Sequence, residues 1–123
     1  MNKFTLLLLA SIFFVSTMAF DQNNYATKSK KAIKNYEWAL EEINNYNFIG
    51  CLSYLDLAIK KDSLFIDAFL LKAEVYRSLQ DYTNEAEFYE KAIAINENYF
   101  PYQVFNLAVA QWNSGLYNQA KSN

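Results

Sequence analysis

The stretch YLDLAIKKD at 54–62 returns, thirty-four residues later, as FYEKAIAIN at 88–96. Laid over each other, Phe48 meets Tyr82, Tyr54 meets Phe88, Leu55 meets Tyr89, Asp56 meets Glu90, Ala58 meets Ala92, Ile59 meets Ile93 and Asp62 meets Asn96, while Ser53 against Glu87 is a mismatch. The aromatic and small residues recur on helical spacing, not on a strand's period of two. One helical hairpin cannot hide both of its apolar sides. Copies stacked in series extend one continuous core, and identical stacking demands the same residue types at the same places. The period therefore predicts an all-α chain of repeated antiparallel hairpins. Asp56–Lys60 and Glu87–Lys91 are expected as i,i+4 pairs on the exposed faces.

A further helix precedes each copy. AFLLKAEVYRSLQDY, from Ala68, sets Phe69, Ala73 and Tyr76 on one face, with Leu79 closing it and Asp81 placed to cap the next helix. YQVFNLAVAQWNSGLY, from Tyr102, repeats the design with Val104, Leu107, Ala108 and Gln111; Gly115 is expected to end that helix and Pro101 to sit in its first turn. AIKNYEWALEEINNY opens the first unit less regularly. Glu42 falls where an aromatic is expected, and a one-residue shift would bring Ile43 there. Glu85 similarly stands where a small residue is expected, with Ala86 beside it.

These units resemble the tetratricopeptide repeat, through A-F-x-x-x-A-x-x-Y at 68–76, L-x-D-Y at 79–82, Y-E-K-A-I-A-I-N at 89–96, L-A at 107–108, G-L-Y at 115–117 and Ala120. The resemblance implies an α-α superhelix of about two and a half repeats, near 32–65, 66–99 and an incomplete 101–123, forming a domain over 32–123. It also implies a concave groove lined by the first helix of each unit. The groove residues would be Tyr36, Leu40 and Ile43, then Asp67, Leu70, Glu74 and Arg77, then Tyr102, Phe105, Asn106, Val109 and Trp112. Some members of the family grip a terminal carboxylate with Lys, Arg and Asn; here Arg77 and Asn106 are the only such members, and the lysines are missing. The groove reads as aromatic and apolar, suited to an extended or helical peptide, although such stripes fit a buried core equally well.

The first twenty residues follow a different grammar. Lys3, an apolar run from Phe4 to Val15, then Thr17 and Ala19 read as a signal peptide over 1–19, followed by a lead-in over 20–31. The run is too short to span a bilayer. Export to the periplasm or the outer membrane is expected, with no transmembrane helix after cleavage. A leader followed by such repeats, with ATKSKKAIKNYEWALE running into the first of them, is similar to the start of Gram-negative envelope proteins that carry a propeller and an outer-membrane-protein-A-like domain. The last unit has only YNQAKSN for a second helix, which leaves Leu107, Trp112, Leu116 and Tyr117 short of cover. The chain is accordingly read as a fragment, whose partner is a protein, a peptide or C-terminal domains of the same chain.

Chemistry finds little purchase. Histidine is absent, Cys51 is the single cysteine, and Gly50 and Gly115 stand alone. No metal site, cofactor or phosphate loop can be assembled from them. The carboxylate pairs Glu37/Glu41 and Asp81/Glu85 read as solvated helix faces, and Cys51 as a small buried residue. No catalytic residue is expected, and the chain is read as a scaffold, not an enzyme, with bracing of a larger envelope protein as the alternative. A net charge of −2 gives no field for nucleic acid. Lys28, Lys30, Lys31 and Lys34 read as a soluble approach to the first helix.

Overall fold

A computed structural model of the protein describes residues 24–122. The expected leader at 1–19 lies outside them. Among the described residues there are five helices and no strand: α1 Lys30–Asn44, α2 Phe48–Lys61, α3 Ile66–Ser78, α4 Tyr82–Ile95 and α5 Gln103–Ser122. Each packs on the next in sequence order. This is the expected all-α stack of helical hairpins.

The thirty-four-residue period extends from residue types to backbone hydrogen bonds. Tyr46 and Gln80 both hold left-handed backbone, φ 57° and 58°. Their N–H groups donate to the carbonyls of Ile43 and Arg77, and the next N–H groups, of Asn47 and Asp81, donate to Glu42 and Tyr76. This closure satisfies the last carbonyls of α1 and α3 and is usually hosted by Gly. Asn47 and Asp81 then cap the following helices, accepting from the N–H of Gly50 at 3.0 Å and of Asn84 at 3.1 Å. The other turn is duplicated as well. Asp62 and Asn96 end α2 and α4 in extended backbone, and their side chains accept from the N–H of Leu64 and Asn98.

Register holds through α1. Ala39 and Ala73, thirty-four residues apart, are both fully buried, so the one-residue shift considered for this helix does not occur. Glu42 occupies the place of Tyr76 beside the turn, where its carboxylate accepts from the side-chain amide of Asn47.

Two apolar clusters form the interior. Ala32, Ala39, Cys51, Leu55, Ala58, Phe65, Ala68 and Val75 make one; Ile66, Phe69, Ala73, Ala86, Phe88, Tyr89, Ala92 and Ala110 make the other, and Ile59 packs against both. Ala58 and Ala92 hold equivalent, fully buried seats. Cys51 is buried as expected, and burial, aided by Glu42, pushes its thiol up to about 11. The stretch before α1 belongs to the first cluster. The Tyr25 ring meets Tyr36 edge-on at 5.1 Å and Phe65 at 6.1 Å, and the buried Thr27 hydroxyl donates to Asp62.

Several local expectations are overturned. Asp56 pairs with Lys72 of α3, not with Lys60, because the buried Lys72 side chain holds its ammonium over the Phe88 ring, 4.1 Å from the centroid, within reach of α2. Glu87–Lys91 forms as expected, at 2.6 Å. Pro101 precedes α5 by two residues and sits in the turn, not in the first helical turn. Gly115 does not end a helix: α5 runs through it to Ser122 as one element, and no glycine has positive φ among the described residues. The residues expected to begin a second helix continue the first.

Nothing lies within 4 Å of where a Gly115 Cβ would stand. Gly115→Ala should therefore raise stability by up to about 1 kcal/mol, the usual helix-interior difference, measured by urea unfolding. A glycine serving as a left-handed stop would show the opposite sign.

Candidate peptide-binding groove

The first helices of the units, α1 and α3, meet the α4–α5 turn around a cavity of about 190 Å³. It is lined by Tyr36 of α1, by Asp67, Leu70, Leu71 and Glu74 of α3, and by Tyr99 and Phe100 of the turn. The helical spacing of 67, 70, 71 and 74 puts these α3 residues on one face. Drug-sized ligands usually occupy about 300–1,000 Å³; this volume suits a side chain of a longer ligand.

Asp67 organises the site. Its Oδ1 accepts from the Tyr99 hydroxyl at 2.6 Å and its Oδ2 from the Ala26 N–H at 2.8 Å. Tyr36 is half-buried, with its ring centroid 5.2 Å from that of Phe65. Burial holds the Tyr36 phenol well above its ordinary range, and the charges of Asp67 and Glu74 push the same way. Tyr99 is raised by burial and by its bond to Asp67, and Tyr25 by burial with Glu37 and Asp67 behind it. The phenols stay neutral at physiological pH, so the charges in the cavity wall are those of Asp67 and Glu74.

Of the residues expected in the groove, Tyr36, Asp67, Leu70 and Glu74 converge on this cavity. The others are placed elsewhere. Leu40 is half-buried one turn further along α1, and Ile43 packs on the first core cluster. Arg77 lies beyond Glu74, where its Nε donates to Glu85 at 2.6 Å and its terminal nitrogen to the Tyr89 hydroxyl at 2.8 Å. Asn106 is half-buried beside Tyr89. The two candidates for gripping a carboxylate thus face the α4 side, and Arg77 already serves an internal one. Tyr102, in the turn before α5, and Phe105, Val109 and Trp112 of α5 stay at the surface, Phe105 and Trp112 at 67% and 70% exposure.

Glu85 overturns its solvated reading. Its side chain is 1% exposed and fills the seat that Cys51 takes one period earlier. Arg77 supplies the counter-charge that lets α4 keep its register, while Asp81 spends its carboxylate on the cap.

Four contributors escaped sequence reasoning, Leu71 of α3 beside the expected Leu70 among them. Tyr99 and Phe100 lie one period after Phe65 and Ile66, a signal that was present; Tyr25 carries no periodic mark, and only its docking reveals it. A larger depression of about 390 Å³ lies between α4 and α5, lined by Thr83, Ala86, Glu87, Glu90, Gln111 and Ser114. Thr83–Ser114 and Gln111–Glu90 hydrogen bonds span it, and none of the expected groove residues reaches it.

Helix pairs that repeat side-chain seats, turns and caps every thirty-four residues are decisive for comparison with known families. Residues 66–99 match the tetratricopeptide repeat. The match covers α3, the Gln80 turn, α4 and the Asn96 turn. No curated protein matches the chain. Tetratricopeptide repeats generally mediate protein–protein interaction. Among the described residues no helix is long and apolar enough to cross a membrane.

Proposed function

We propose that this chain is an exported scaffold, working in a cell-envelope assembly, that holds a peptide or partner domain against the cavity between α1 and α3. The observation that carries the binding reading is the convergence of Tyr36, Asp67, Leu70 and Glu74 from two first helices onto one open cavity. Export rests on Lys3, the apolar run Phe4–Val15 and the small residues Thr17 and Ala19. The scaffold makes and breaks no bond. It buries apolar area on a surface already formed, which lowers the ordering cost of binding.

A photo-crosslinking amino acid at Leu70, compared with one at Lys91 on the exposed face of α4, tests the groove in cells. A discrete protein adduct from Leu70 and none from Lys91 is expected. Equal adducts from both sites, or none from Leu70, would overturn the reading. Export is checked separately by the mass of the mature N-terminus. The exposed Val104, Phe105, Trp112 and Leu116 of α5 favour a second reading, in which the repeats brace a larger envelope protein. Adducts confined to Trp112 would select it.

A further inference from the structure

The cavity wall carries two carboxylates, three aromatic rings and no cation. Among the described residues Asp67 is bonded to two neutral donors, the Tyr99 hydroxyl and the Ala26 N–H, and to no cation. Glu74 is exposed, and among the described residues it forms no ion pair. Arg77, one turn along α3 from Glu74 and within reach of its charge, makes its hydrogen bonds to the buried Glu85 and to Tyr89. Lys72 points away, across to Asp56 and Phe88. A carboxylate-bearing ligand would meet like charge in this cavity, whereas a cation would meet two carboxylates set among aromatic faces.

We propose that the groove takes an arginine-bearing segment of a partner protein, with the guanidinium against Glu74 and the rings of Tyr36 and Tyr99, and an adjacent apolar side chain over Leu70. The inference rests on the scaffold reading and names its ligand. A planar guanidinium pairs with carboxylates by two parallel bonds, stacks on aromatic faces and sheds water more readily than an ammonium. Arginine is therefore favoured over lysine at this wall. Serine supplies neither the charge nor the plane, and glutamate is repelled. The partner's apolar neighbour fills the volume beside Leu70 that a guanidinium cannot.

The test uses the full chain and short acetylated, amidated peptides alternating Arg with Leu, read by fluorescence anisotropy. Counterparts carry Lys, Ser or Glu in place of Arg. Affinity should fall in that order and weaken with added salt. Glu74→Gln should weaken the Arg–Leu peptide about tenfold, as expected for the loss of a charged hydrogen bond. It should leave the Ser–Leu peptide unchanged. Glu87→Gln, an equal charge change on exposed α4, should have no effect. Asp67→Asn should act in the same direction as Glu74→Gln, with circular dichroism confirming the fold of each variant. Equal binding of the Ser–Leu and Arg–Leu peptides, or equal effects of Glu74→Gln and Glu87→Gln, would overturn the inference. If no peptide binds while the Leu70 crosslinker still yields its adduct, the ligand assignment falls and the scaffold reading stands.

Discussion

Arg77→Met should cost the chain about 3 kcal/mol of stability, the scale for leaving a buried carboxylate without its cation, although the Arg77 side chain itself is 44% exposed. Methionine keeps much of the apolar stem and removes the charge. Glu85 is then left with a carboxylate inside the protein and no cation, and one of its oxygens, Oε2, already lacks a partner among the described residues. The Tyr89 hydroxyl loses a donor in the same step. Urea unfolding should show a lowered midpoint with an unchanged slope. Adding Glu85→Ala to Arg77→Met should restore part of the loss, because the double variant strands no charge. A strictly additive double variant, or an Arg77→Met deficit below about 1 kcal/mol, would show the pair to act as a surface contact.

Phe65→Ala should cost about 3–5 kcal/mol, the range for deleting a buried aromatic side chain. Phe65 is fully buried at the α2–α3 turn under the rings of Tyr25 and Tyr36. Its loss opens a void and removes the platform on which Tyr25 docks. Two readouts are expected together: a fall in melting temperature on the order of 15 °C and faster amide exchange at Ala26, whose N–H is bonded to Asp67. The comparison is Tyr99→Ala, one period later. Tyr99 occupies the equivalent turn position but remains exposed, and its main specific contact is the hydroxyl bond to Asp67. That variant should lose about 1 kcal/mol, the net worth of such a bond. Equal losses at the two positions would mean that the Tyr25–Tyr36 cover contributes nothing.

The pair shows where reading residues stops. Phe65 and Tyr99 share type, position in the period and turn hydrogen bonding, closing back on Asp62 and Asn96 respectively. Their environments differ because Tyr25 and Tyr36 reach Phe65 from distant parts of the chain. Three of the four residues expected on α3, Asp67, Leu70 and Glu74, and Tyr36 of α1 were legible in the same way, as positions on a period. That Arg77 would turn to Glu85, and that Phe105 and Trp112 would stay at the surface, depended on neighbours that spacing does not name.

The amino-acid sequence alone determined the helical hairpin order, the Asp81 cap and the Ala58 and Ala92 seats. These rest on hydrogen bonds a few residues long and on side chains that recur with the helical period. Only the tertiary structure decided that Glu85 could be buried, that Asp56 would choose Lys72, and that the stretch before α1 would close on Phe65 and Asp67. A charge or a ring is stabilised by whatever lies beside it in space, and that neighbour is set by packing across helices, not by distance along the chain.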